Sequence, residues 1–204
     1  MSLVRPALTL TILMTALLGL AYPLGMTALS QAILPHQANG SLLERDGVVI
    51  GSALIGQPFA APRYLWPRPS AVDYDAANSA GSNLGPTNAA LVAGIAARAA
   101  ALEAANEVKP PVDLVTASAS GLDPHISPEG AFAQAARIAT ARGVAPAEIR
   151  AFLRAHVEGR ALGFVGEPVV NVLLANLALD EAFPMAAPPA EAAPARTAAT
   201  NPDD

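Results

Sequence analysis

ALTLTILMTALLGLAYPLGM (Ala7–Met26) is twenty residues without a charge, inside an uncharged run that extends from Pro6 to Pro35. At about 1.5 Å rise per residue, twenty helical residues cover roughly the 30 Å hydrocarbon core of a bilayer. Its seven leucines and one isoleucine, at about −0.3 to −0.6 kcal/mol each, favour insertion by roughly 2.5–5 kcal/mol. Thr9, Thr11 and Thr15 can bond back to carbonyls of the preceding turn and are tolerated there. Two segments fit this pattern. One is an uncleaved anchor. The other is a signal peptide with Arg5 as its basic start, Leu8–Leu20 as its apolar centre and Ala28-Leu29-Ser30 as the cleavage site. The run exceeds the usual apolar centre of about 7–15 residues. A buried core helix this long and this free of charge is the least favoured alternative. Anchor and signal peptide agree on direction. Arg5 is the only positive charge near the segment and nothing basic follows before Arg45, so the N-terminus stays in the cytoplasm and the bulk is exported.

The remaining chain is long enough for one domain: 204 residues in all. Hydrophobic residues make up 52%, much of it alanine, and aromatics are scarce, so the core is expected from Leu, Ile, Val and Ala. Net charge is −5, with Lys109 the single lysine. No basic cluster occurs, which excludes nucleic acid as an expected partner. There is no cysteine, which excludes disulfides, thiolate chemistry and Cys-type zinc sites.

Beyond the anchor, Ser30–Arg45 reads as polar and irregular. Gly47–Gln57 (GVVIGSALIGQ) is rich in β-branched residues between glycines and predicts a strand or hairpin. Pro58–Pro86 holds many prolines and small polar residues and predicts an ordered, irregular loop. Thr87 or Asn88 caps a helix to about Asn106 with Leu91, Ile95 and Leu102 on one stripe. Val112–Ala117 predicts a short strand. Ser127-Pro128-Glu129 opens a helix that runs to Arg142 and stops at Gly143. Pro146 opens another, with Ile149, Phe152, Leu153, His156 and Val157 at helical spacing. Glu167–Asp180 predicts a buried helix with Pro168 in its first turn, and the Ala/Pro-rich tail from Pro184 is expected to be disordered. The fold class is therefore a single N-terminal transmembrane helix plus one mixed α/β exported domain. Its boundaries are an anchor over 1–34, a domain over 35–183 and a tail over 184–204.

Three stretches carry residue types that chemistry could use. Ser118, Ser120, Asp123 and His125 have the residue types of a hydrolytic triad. Triad members, however, converge from distant parts of a fold, and no G-x-S-x-G elbow is present. The same residues build a turn: serines and Asp bond local backbone, Gly121 supplies a positive φ, and Asp123-Pro124 and Ser127-Pro128 stiffen the entry to a helix. A metal site would have only His36, His125 and His156, with no paired spacing. His156, on an apolar stripe, reads as a hydrogen-bonded, half-buried side chain. Ser79–Thr87 (SAGSNLGPT) precedes a helix and offers backbone N–H groups to an anion, but lacks the P-loop lysine. Tyr64-Leu65-Trp66 beside Arg68 fits either an interface patch or core filling. Catalytic residues and metal ligands are expected to be absent.

Taken together, LIGQPF, YLWPRPSAVDYDAANSAGSNLGPTN, PPVDLVTASASGLDPHISPEGA, QAARIATARG and LGFVGEPVVNVLLANLALD resemble the C subunit of the Kdp-type potassium-transporting P-type ATPase, over about Leu17 to Asp180. The resemblance implies an uncleaved anchor in the cell inner membrane, with the bulk periplasmic. It implies three protein partners besides membrane lipid: a pore-like K⁺-binding subunit, a P-type subunit that hydrolyses ATP, and a small single-span subunit. It also implies no chemistry on this chain, which has neither the D-K-T-G phosphorylation motif nor a Walker motif. ATP and K⁺ are used by the complex. Two roles follow for such a subunit: a "catalytic chaperone" that raises the ATP affinity of the P-type subunit through a ternary complex with nucleotide, or a periplasmic cap over the outer mouth of the pore. The alternative to both is a nucleotide-binding accessory protein, for which Ser118, Ser120 and Gly121 are weak candidates. Partner contacts are expected at Gly19 and Gly25 in the anchor, where small residues allow close helix approach, and at Arg68, Ser70, Asp123 and His125 in the domain.

Overall fold

The computed structural model describes residues 3–45 and 47–185. The chain starts with α1 (Val4–Ala16), a π-helical turn (Leu17–Ala21) and α2 (Tyr22–Ile33). Together these form one continuous helix over Val4–Ile33, none of whose residues is buried. Thirty residues at about 1.5 Å each give about 45 Å, more than a bilayer core. The π turn has a local cause. Pro23 has no N–H and its ring would crowd the carbonyl four residues back, Gly19. Widening the turn before it, with the Tyr22 N–H donating to the Leu17 carbonyl, absorbs the misfit without breaking the helix. After Leu34, a short turn α3 (Pro35–Ala38) leads into the domain.

The domain is mixed α/β with helices dominant and two small antiparallel sheets. β1 (Leu42–Arg45) and β2 (Val48–Ser52) form a hairpin with Leu42 opposite Ser52 and Arg45 opposite Val48. The expected strand is thus the second arm of a hairpin whose first arm lies in the segment read as irregular. Across the molecule, β3 (His125–Ile126) pairs with β4 (Val170–Asn171). Around them pack α4 (Ala89–Asn106), α5 (Val112–Val115), α6 (Pro128–Ala133), α7 (Ala135–Arg142), α8 (Pro146–Ala155) and α9 (Val172–Ala182). The core is aliphatic, as the composition requires: Leu65, Ile126, Ile138, Ile149, Leu153 and Leu179 have at most 1% of their surface exposed. Each such side chain contributes about 1.5–3 kcal/mol by leaving water.

Three expectations need correction. Val112–Val115 is a helical turn, not a strand. Pro111 fixes the entry, Asp113 sits in the first turn where the helix dipole favours an acid, and Leu114 and Val115 turn into the core. Four apolar residues are too few for their spacing to separate strand from helix. The helix after Ser127 is two helices that meet at Gln134 (φ −89°, ψ −7°), whose N–H donates three residues back to the Ala131 carbonyl at 3.2 Å. The final helix starts at Val172 rather than Pro168. Val169 instead pairs with Glu158, and Asn171 is the cap, its Oδ1 accepting from the Leu174 N–H at 3.1 Å. The α4 helix matches its predicted span, capped by Asn88, whose Oδ1 accepts from the Ala90 N–H at 2.8 Å. By length and composition α4 also passes for a membrane span. Its Arg98, however, donates to the Val115 carbonyl at 2.7 Å and its Asn106 accepts from Arg137 at 2.9 Å, which hold it to the domain. The tail from Pro184 lies outside the described residues beyond Met185.

Candidate functional site

Four helix-borne polar side chains hold the segment Pro58–Pro69 in place, and none was singled out from the sequence. Asn176 on α9 pairs with Leu65 as a strand would: its Oδ1 accepts from the Leu65 N–H at 2.7 Å and its Nδ2 donates to the Leu65 carbonyl at 3.0 Å. Gln134 does the same for Trp66, accepting from its N–H at 2.8 Å and donating to its carbonyl at 3.1 Å. This second clamp is also why the helix breaks at Gln134. Arg137 donates to the Pro62 and Tyr64 carbonyls and lies 3.9 Å over the Trp66 ring. Burial pushes its guanidinium pKa down to about 10. The Arg142 side chain, fully buried, donates to the carbonyls of Arg63, Leu179 and Phe183 and to Asp180 Oδ1 at 2.9–3.0 Å. Leu65 is fully buried while Tyr64 and Trp66 are half-buried, so the centre of this patch fills the core and its two rings keep part of their surface open. The available signal was a lone amide in an apolar helical stripe, as at Asn176 within VVNVLLANLALD: such a residue must find a partner when buried.

Immediately downstream, Arg68–Gly81 and Ser118–His125 interlock, and the domain residues singled out from the sequence come together here. Arg68 Nη1 donates to Asp123 Oδ2 at 2.9 Å. The other carboxylate oxygen accepts from the His125 backbone N–H at 3.0 Å and lies 3.6 Å from His125 Nδ1, an ion-pair rather than a hydrogen-bond distance. Burial alone would raise the Asp123 pKa. The neighbouring His125 and the Arg68 guanidinium outweigh it and hold the carboxyl down at about 2. His125 moves the opposite way: the adjoining Asp123 carboxylate raises it, against partial burial, with Glu158 adding in the same direction. Arg68 Nε is buried without a hydrogen-bond partner.

Ser70 is a backbone clamp. Its Oγ accepts from the Val72 and Tyr74 N–H groups at 3.1 and 3.0 Å, which holds Asp73 and Tyr74 at φ +51° and +59°. The Tyr74 hydroxyl donates to the Arg68 carbonyl at 2.7 Å, and burial, with Asp73 nearby, pushes its pKa up to about 12. Gly121 lies at φ +70°, and a Cβ there would stand 2.5 Å from Val72 Cγ2 and 2.7 Å from the Ala80 carbonyl oxygen. Only glycine fits that close crossing of two loops. The Ser118 and Ser120 hydroxyls lie 3.1 Å apart and bond each other rather than the His125 ring. Ser120 Oγ also accepts from the Leu122 N–H, and the Ser118 and Gly121 N–H groups donate to the Pro69 and Ser118 carbonyls. These bonds, made within the chain, are those of a shaped turn. Ser79 bonds the Ser120 carbonyl at 3.1 Å, tying the serine-glycine stretch to the same loop. His156 stacks on Phe152 at 4.1 Å with Nδ1 2.8 Å from the Phe152 carbonyl, as its place on an apolar stripe suggests. Among the described residues no group of three or more His, Asp and Glu could hold a metal. Gly19 lies within the π turn, while around Gly25 a Cβ would meet nothing within 4 Å. Both glycines therefore leave the anchor surface low.

The family model for "K+-transporting ATPase, c chain" matches residues 4–181. The chain belongs to this family. It is similar to the potassium-transporting ATPase KdpC subunit of Sorangium cellulosum, 60% identical over 184 residues that cover 87% of this chain and 97% of the relative. The KdpC subunit of Cereibacter sphaeroides is 56% identical over 182 residues, covering 89% and 98%. That of Burkholderia cenocepacia is 55% identical over 187 residues, covering 89% and 97%. The match takes in the anchor, the clamped segment and the interlocked loops alike. The chain is thus the c-chain type of subunit of a K⁺-transporting ATPase, and its N-terminal helix fits a membrane-anchored member of such a complex.

Proposed function

We propose that this chain is the single-span, non-catalytic subunit of an ATP-driven K⁺ import complex. Residues 1–34 anchor it in the inner membrane and residues 35–183 form a periplasmic domain over the outer mouth of the K⁺ pathway. ATP hydrolysis and phosphorylation belong to a P-type partner, and K⁺ passes through a pore-like one. The observation that carries this is the pairing of a helix over Val4–Ile33, with no buried residue and no charge after Arg5, with a domain whose polar loops are bonded to one another. Such a helix finds its partners in lipid and in neighbouring helices. Such loops have the character of rigid architecture rather than a reactive centre. With the N-terminus cytoplasmic, the domain does not meet cytoplasmic ATP. Any effect on the partner's ATP affinity then passes through the anchor and needs two states that both sites bias.

The test uses the absence of native cysteine. Ala100, exposed on α4, is changed to Cys in an affinity-tagged full chain. Intact spheroplasts are treated with a membrane-impermeant maleimide, and the tag is then recovered in mild detergent. The expected result is labelling without permeabilisation and recovery of the pore-like, P-type and small single-span subunits with K⁺-stimulated ATPase activity. Labelling only after permeabilisation would overturn the topology, and a chain recovered alone would overturn the complex. A photoreactive ATP analogue that labels this chain within an intact complex would instead favour the nucleotide-binding alternative.

A further inference from the structure

The stretch LGFVGEP forms the most exposed apolar feature of the domain among the described residues. Glu158 and Val169 pair at the root, with N···O distances of 2.8 and 3.0 Å, and Ala161 and Val165 pair further out at 2.9 Å. Arg160 Nη2 donates to Glu167 Oε2 at 2.6 Å and closes the arms between these two rungs. The tip is Leu162-Gly163-Phe164, with 87% of Leu162 and 73% of Phe164 exposed, beside a half-exposed Val165. Leu162 takes φ +54°, next to Gly163 at +83° and Gly166 at +82°. Leu162 is thus a γ-branched apolar residue held in the left-handed region with its side chain facing water. Sterics favour glycine or asparagine there. A tip that were only a turn would carry Asn-Gly or Asp-Gly.

We propose that the Arg160–Glu167 hairpin is a docking knob whose Leu162–Phe164 tip seats in an uncharged apolar recess on another subunit of the transporter. The inference rests on membership of a multi-subunit complex. A protein recess is favoured over an anionic lipid surface by charge. Across 158–169 the hairpin has two acids and one arginine, and that arginine is engaged by Glu167, so it offers no free cation to lipid headgroups. The paired arms hold the tip's shape before contact, which lowers the ordering cost of docking.

The experiment places the photo-crosslinking residue p-benzoylphenylalanine at position 164 of the tagged full chain in native membranes, followed by irradiation and recovery of the tag. One discrete adduct with another subunit of the complex is expected. Recovery of the partner subunits with no protein adduct, or with lipid adducts alone, overturns the knob. If the unmodified tagged chain recovers no partner subunit, complex membership itself fails and the knob falls with it. A second measurement uses Leu162→Asn with Phe164→Ser, both exposed and with Asn at home in the left-handed region. Unfolding of the solubilised chain stays unchanged, while partner retention through detergent washing falls roughly tenfold. Val92→Ser, a change of another exposed apolar residue, on α4 with 56% of its surface open, leaves retention intact. Equal retention by both variants overturns the proposal.

Discussion

The anchor over Val4–Ile33 and the segment Pro58–Pro69 are both ordered, but from opposite sources. The anchor satisfies every backbone group it can within itself and leaves its side chains outward, so its order is local and its packing lies outside the chain. The 58–69 segment makes few backbone bonds of its own. It is held by Asn176, Gln134, Arg137 and Arg142, reaching from helices whose sequence positions lie 68 to 111 residues away in the Trp66 and Leu65 pairs. Perturbing the first should change where the protein goes; perturbing the second should change whether the domain stays folded.

The largest effect is expected from Leu13→Arg in the anchor. It exchanges a favourable residue for one costing about 2.5–3.5 kcal/mol at mid-bilayer, comparable to the whole gain from the leucines and isoleucine. The fraction of chain resisting carbonate extraction should fall sharply while the domain retains its fold. Next comes Asn176→Ala, which strands the buried N–H and carbonyl of Leu65 and should destabilise the domain by about 2–4 kcal/mol. Denaturant unfolding of the solubilised chain, followed by the fluorescence of its sole tryptophan, Trp66, reads this directly. Membrane insertion of that variant should be normal, and a loss of both would blur the contrast. Gly121→Ala should cost about 1–3 kcal/mol by combining a positive φ with the contact at Val72.

The smallest effect is a pH profile of the Arg68–Asp123–His125 cluster. Asp123 is depressed in the folded state, so its contribution is complete above its ordinary pKa near 4 and is lost as pH falls toward about 2. His125 is raised, so its contribution is complete below its ordinary value near 6.5 and is lost as pH climbs through the raised value. The stability difference between the native chain and His125→Gln should therefore be greatest near pH 5 and shrink above neutrality. A flat difference would show that the imidazole acts by packing alone.

The anchor was legible because composition alone defines it: no charge and enough length. The Ser127 cap, the stop at Gly143 and the α4 span were legible because caps act within a few residues. The interlocked loops were legible as a location, since Ser70, Gly121 and Asp123 carry turn chemistry wherever they fall. What was not legible depends on partners distant in sequence. Gln134 breaks its helix because Trp66 needs pairing, and VDLV becomes helical because Asp113 is taken by the Ser127 N–H at 2.7 Å. Neither demand is visible in a local window. The π turn was foreshadowed by Pro23, whose missing N–H falls where the helix could not be interrupted.

The most direct test of the account is ATP-driven K⁺ uptake by the assembled complex with this chain intact or truncated after Leu34. With the domain acting at the outer mouth as proposed, the anchor alone still assembles but the apparent K⁺ affinity falls. An assembled, truncated complex with unchanged apparent affinity for both K⁺ and ATP would contradict it.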